Sequence, residues 1–313
     1  MATFETIKLD KWLYEGKGFL ANLEEIDPSE NYKGTELEDL DAFERQLKRY
    51  DIKVSGANSD MVGKFFDTTD SAVLFPEYVS RAVRQGIEEN SKVLNDIIAT
   101  KTNISSYDYR TISVSQPNNT MAVTPAKGEL IPETVVQTQD SLVPLKKHGR
   151  MLVASYEAIR FQRLPLLTIT LRQIGKSIVD AQFKDAVHTL LDGATEHNTM
   201  SLPVLNNFLS PYNLNTIIMN HYVVRSHPNS QFNISPDFLS DPRAVNINFI
   251  PTDKIETNLL IGFDKTCALE MVTAGGVQTN YHSLIDRKFE RSSITQTAGF
   301  SKIFADAVKV MKL

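Results

Sequence analysis

Cysteine and tryptophan are nearly missing from this chain, which has one of each in 313 residues. A lone cysteine, Cys267, excludes an intramolecular disulfide framework and a structural zinc site built on several thiolates. No apolar run is long enough to span a bilayer, so no transmembrane helix is expected. The first ten residues, MATFETIKLD, lack a basic stretch followed by an apolar one, so no secretory signal is expected. The recurrent motifs of catalysis are missing too. There is no Walker phosphate loop, no dinucleotide-binding glycine pattern, no His-Glu-x-x-His and no Gly-x-Ser-x-Gly. A large basic excess is also lacking. The net charge is −5, which argues against a dedicated nucleic-acid reader.

What is present is ordinary globular material. Hydrophobic residues make up 42% and charged residues 23%, which excludes a disordered chain. Its length allows one large domain or two ordinary ones. The charge is unevenly spread. Residues 1–60 carry eight Lys and Arg against fourteen Asp and Glu, while the remaining 253 residues carry 25 against 24.

Isolated residues that could carry chemistry have simpler readings. The histidines at 148, 188, 197, 221, 227 and 282 show no metal-ligand spacing. Cys267 lies in the apolar stretch TCALEMV and reads as a small buried hydrophobe. Asp264-Lys265 reads as a turn, and Gly275-Gly276 as a hairpin turn. Tyr107, Tyr109 and Arg110 either stack on bases or pack as strand aromatics. No catalytic, cofactor-binding or metal-ligating residue is assigned.

Periodicity supplies the organisation. Residues 1–60 read as semi-independent. They contain one amphipathic helix, Glu36 to Lys48, with an apolar stripe of Leu37, Leu40, Phe43 and Leu47 and with Glu38, Asp39, Glu44 and Arg45 on its polar side. Val54 to Val62 reads as a linker. After an extended Phe75-Pro76 step, a helix follows through Ile98, with Gly86 weakening it. From Ile104 to Arg150 the period changes to that of strands. Thr111–Ser115, Thr134–Thr138 and Leu142–Leu145 form two β arms joined by a polar tip. Such a hairpin has little core of its own and must rest on another surface.

Ser155 is expected to cap a short helix from Tyr156 to Arg163. The strongest helical signal runs from Pro165 to Leu191 and closes at Gly193; it predicts a rod of about 40 Å. Beyond it, Asn215–Met219, Val245–Phe249 and Leu259–Phe263 read as strands, Asn220–His227 and Ser235–Leu239 as helices, and Ala305–Leu313 as a closing strand.

This order of elements resembles the major capsid protein of tailed double-stranded DNA phages, the Hong Kong 97 fold. The stretches that carry the resemblance are FFDTTDSAVLFPEYVSRAVRQGIEENSKVLNDI (65–97), TPAKGELIPETVVQTQDSLVPLKKHGRMLVASYEAI (124–159), LRQIGKSIVDAQFKDAVHTLLDG (171–193), NLLIGFDKTCALEMV (258–272) and RSSITQTAGFSKIFADAVKVMKL (291–313). The second holds Gly128-Glu129 and Pro132 at a loop tip, then Lys147, Gly149, Ser155 and Glu157 leading into the long helix.

The resemblance implies an α+β fold. Its parts would be an N-terminal extension (1–64), an N-arm and first helix (65–103) and an extended loop (104–150). A peripheral domain with a spine helix (151–200), an axial domain (201–290) and returning peripheral strands (291–313) would complete it. It implies a non-enzymatic shell subunit that forms hexamers and pentamers of itself around double-stranded DNA, which it touches non-specifically. Portal, scaffolding and decoration proteins would be its other partners. The implied location is the virion, after assembly in the host bacterial cytoplasm. Inter-subunit contacts are expected at Lys127 and Glu129 in the loop and at Leu37, Leu40, Phe43 and Leu47. Lys127 has no matching asparagine partner, so no covalent cross-link is predicted. A nanocompartment shell enclosing protein cargo is the nearer alternative, and a soluble hydrolase or binding domain the more distant one.

Overall fold

The computed structural model describes residues 7–115, 134–155, 160–194, 196–197, 212–221, 247–284 and 289–312. In chain order the elements are α1 (Phe19–Ile26), α2 (Ala42–Arg49), α3 (Thr69–Ala72), α4 (Phe75–Asn90), α5 (Lys92–Asn95), β1 (Thr100–Ile104), β2 (Ile112–Ser115), β3 (Val135–Thr138), β4 (Lys146–Ser155), α6 (Leu164–Leu191), β5 (Glu196–His197), β6 (Thr216–Asn220), β7 (Asn248–Thr252), β8 (Leu259–Phe263), β9 (Leu269–Leu284), β10 (Phe289–Lys302) and β11 (Val308–Lys312). They fall into two compact units. Unit 1 is 1–90, 149–178 and 277–295; unit 2 is 91–148, 179–276 and 296–313.

The described residues of unit 1 share an apolar core. Leu9, Leu13, Phe19, Leu23, Phe43, Leu47 and Ile52 share it with Phe65, Phe75, Val79, Leu167, Leu171 and Ile178. The first sixty residues are therefore not semi-independent, which corrects the sequence reading. The stretch 54–62 is not a linker either. Met61 bridges Arg163, the Val62 N–H donates to the Gln162 carbonyl at 2.9 Å, and the Asp60 carbonyl accepts from the Leu164 N–H at 3.0 Å. That last bond satisfies one of the orphan donors at the start of α6.

The predicted helix 36–48 is shorter than expected. Asp41 caps α2 in a capping box with Glu44, so the helix cannot begin before Ala42. Arg45, expected on the polar side, is fully buried. Its guanidinium lies 3.2 Å from the Asp27 carboxylate, donates to the carbonyls of Asp27 (2.6 Å) and Leu40 (2.8 Å), and sits over the Tyr32 ring. Burial is tolerable because the donors find acceptors.

Pro76 lies in the first turn of α4 rather than in an extended segment, a position where its missing N–H costs nothing. The penalty assigned to Gly86 has a purpose. A Cβ on Gly86 would lie 2.3 Å from the Arg172 carbonyl oxygen, and one on Gly175 would lie 2.4 Å from that of Val83. Here α4 and the first half of α6 touch backbone to backbone, and the contact admits no side chain.

Helix α6 matches its predicted span within one residue. Its buried apolar positions, Leu164, Leu167, Leu171, Ile174 and Ile178 in unit 1 and Val179, Phe183, Ala186, Val187 and Leu190 in unit 2, recur at three- and four-residue spacing. At 28 residues it is about 42 Å long.

Unit 2 contains a five-stranded sheet of order β5-β11-β8-β6-β7. Strands β6 and β8 are buried along their whole length, and Leu214, Ile217, Met219, Leu260 and Met311 form its core. Pro251 is confined to the edge strand β7, where a missing donor is tolerated. The Asp264 carboxylate organises the following turn by accepting from the Asn213 N–H, the Asn215 amide and Thr266. A second sheet has the order β1-β9-β10-β4. The Gly275-Gly276 pair lies inside β9 and is not a hairpin turn. Pairing of β9 with β1 ends at Ala274, and Gly275 then takes φ +71°, a kink that glycine permits. Strand β4 starts at Lys146; Leu142–Leu145 is irregular.

Candidate assembly surfaces

The expected hairpin is present at its root. Strands β2 and β3 pair antiparallel, Ile112 with Thr138 and Val114 with Val136. Alternation puts Ile112, Val114 and Val136 on one face, where Ile112 is 46% and Val136 58% exposed. Two strands with an uncovered apolar face are not stable alone. The root is instead tied into unit 2. The Val114 N–H donates to the Ile303 carbonyl at 3.1 Å and the Gln139 N–H to that of Thr111 at 2.9 Å. The Gln139 amide reaches the Lys302 carbonyl at 2.9 Å.

The predicted contact residues are scattered. Lys127 and Glu129 lie outside the described residues, as do the expected segment Ser235–Leu239, half of Tyr156–Arg163 and most of Asn220–His227. Leu37 and Leu40 are half-buried in the turns before α2. Phe43 and Leu47 are buried in the core of unit 1, where their apolar surface is covered by their own chain.

Sequence reasoning missed another apolar surface. Phe161 is 74% exposed, and Leu166 and Ile169, on the first turns of α6, are 55% and 58% exposed. The signal was legible in LPLLTITL, which is apolar around the whole helix rather than along one stripe.

Polar groups in unit 2 converge on a cavity of about 610 Å³ between the hairpin root, the end of α6 and the end of β10. On its wall Asp185 accepts from Lys146 at 3.0 Å and pairs with His148 Nε2 at 2.8 Å. Burial works to raise the Asp185 pKa, but the bonds from His148 and Lys146 outweigh it and hold the carboxyl below its ordinary value. The Lys302 ammonium donates to the Asp192 carbonyl, and burial pushes its pKa down. Cys267 is half-buried. Burial and the neighbouring Asp264 push its thiol up to about 11, which keeps it protonated and unreactive at neutral pH. The Tyr109 hydroxyl donates to Glu270 at 2.8 Å, while Tyr107 is 65% exposed. Among the described residues no group of three or more His, Cys, Asp or Glu could hold a metal ion, and no helix is long and apolar enough to cross a membrane.

The described residues form a mixed α+β chain with a 28-residue helix, the paired root of a hairpin and a mixed sheet with buried central strands. No family model and no curated protein sequence matches it. Solved structures do. A virus-like particle from Pyrococcus furiosus is 15% identical, with TM-score 0.51, over 75% of this chain and 98% of that one. A Microbacterium phage Oxtober96 chain is 9% identical, with TM-score 0.52, over 71% and 91%. The capsid of an empty GTA particle is 11% identical, with TM-score 0.51, over 70% and 90%. The chain has the Hong Kong 97-like capsid fold.

Proposed function

We propose that this chain is the major capsid subunit of a tailed phage. Copies of it close into hexameric and pentameric rings and then into an icosahedral shell around double-stranded DNA. The fold shared with capsid chains carries the reading, because that match spans nearly the full length of each neighbour. The physical chemistry supports it. The apolar faces of the hairpin and of the start of α6 are exposed in the single chain and gain burial on association. Contacts in a closed ring join two different surfaces of one chain, which suits two distinct apolar faces.

In this reading the chain is a structural protein. Residues 104–150 act as the extended loop, 151–200 as the peripheral domain with α6 as its spine, and 201–290 as the axial domain. Lys127, Glu129, Leu37 and Leu40 contact neighbouring subunits. Portal and scaffolding or decoration proteins are further partners, DNA lies at the inner face, and the shell assembles in the host cytoplasm. A nanocompartment enclosing protein cargo is the second and less supported reading.

Purified particles, treated with nuclease and then opened, separate the two readings. Protected double-stranded DNA is expected from particles of the infected host. Protein cargo without nucleic acid would replace the first reading by the second.

A further inference from the structure

The carboxylate of Glu270 on β9 is 4% exposed and pairs with no cation among the described residues. Among the described residues its partners are hydroxyl groups alone. Thr102 on β1 donates to Oε1 at 2.5 Å and Tyr109 donates to the same oxygen at 2.8 Å, while Thr111, itself buried, donates to Oε2. Thr102 is placed there by the parallel register of β1 on β9, which sets Thr100 opposite Glu270 and Thr102 two residues along on the same face. Tyr109 and Thr111 belong to the segment that leads into β2. The carbonyls of these two residues accept from the Val143 and Gln139 N–H groups on the returning arm. One carboxylate thus holds β1, the outgoing arm and, through two backbone bonds, the returning arm. Burial, and then its bond to Glu270, push the Tyr109 phenol pKa up.

A buried carboxylate without a cation is an expensive way to fill space. An apolar side chain with apolar partners of the same shape would be about as stable. What the carboxylate adds is direction, because each hydroxyl must point at a defined oxygen. We propose that Glu270 is a positioning residue that aims the hairpin root, and that ring and shell formation depend on the aim it sets. The assembly half of this inference rests on the capsid reading above; the local half does not.

The test uses the full chain and the pair Thr111→Val and Thr111→Ser. Hydrogen exchange is read at the Val114 and Gln139 amides, and shell yield is read by electron microscopy. Thr111→Val keeps the shape and loses the donor. Exchange there should rise about tenfold and shell yield should fall. Thr111→Ser keeps the donor and should match the wild type in both. Wild-type exchange in Thr111→Val, or equal acceleration in both variants, would overturn the proposal, since the hydroxyl would then not matter. Faster exchange with undiminished shells would overturn its assembly half. A wild-type chain that forms no shells would instead contradict the capsid reading and leave the exchange comparison standing. A quadruple variant, Glu270→Leu with Thr102→Val, Tyr109→Phe and Thr111→Val, covers misfolding of the single one. It should melt near the wild type but exchange fast at the root; wild-type protection there would also overturn the proposal.

Discussion

At the scale of the residue, Arg45 and Asp185 do work that charge patterning does not foretell. A helical wheel sends Arg45 to the solvent side, because the wheel counts charge and not partners. Asp27, whose carboxylate and carbonyl make that burial possible, lies 18 residues upstream. Glu270 is hidden for the same reason, with its hydroxyl partners 159 to 168 residues away. Arg45→Ala leaves Asp27 charged and buried, so a loss of about 3–5 kcal/mol is expected. Arg45→Lys should recover only part of it, because an ammonium cannot replace the planar fork. Urea unfolding of the three proteins checks this.

Asp185 gives a pH dependence. Its folded-state pKa is lowered, so its contribution is fully present above the ordinary carboxylate value and is lost as pH falls through the folded one. Asp185→Asn should therefore melt lower than the wild type at pH 7. The gap should close below about pH 4, as the wild-type carboxyl protonates too. A constant gap across that range would show that the pair with His148 and Lys146 contributes nothing electrostatic.

At the scale of the element, sequence pattern spoke clearly where the signal was local. Helix α6 and strand β8 were readable because a long three-to-four period and a short apolar run bounded by a turn need no distant partner. The hairpin root was readable from alternation in the same way. Other features depended on neighbours remote in sequence. Gly86 looks like a flaw in an isolated helix, and only the approach of Gly175 shows its use. Gly86→Ala gains helix propensity of up to about 1 kcal/mol. It also drives a Cβ to 2.3 Å from a backbone oxygen that cannot rotate away. Overpacking of this kind costs about 1–3 kcal/mol. Net destabilisation is expected in thermal melts, and an unchanged or raised Tm would mean that the two helices can separate at no cost.

At the scale of the whole molecule, residues 1–60 were misjudged because an acidic segment with one visible helix looks like an appendage. Its apolar residues Leu9, Leu13, Phe19 and Leu23 are too dispersed to show a period, yet all enter the core of unit 1. Removing residues 1–60 should therefore give insoluble chain, not a trimmed subunit. The candidate surfaces were half legible. The hairpin was expected to need a host surface, whereas the outer face of α6 around Leu166 and Ile169 was not foreseen, because buried and exposed apolar residues look alike in sequence.

Electron microscopy of the purified full-length chain tests the central claim most directly, with and without co-expressed phage assembly factors. Closed icosahedral particles built from fivefold and sixfold rings are the expected result. Replacing Gln116–Leu130 by a short Gly-Ser turn should leave a folded chain that forms none. A chain that stays a monodisperse monomer at every concentration, salt and co-expression condition would contradict the account.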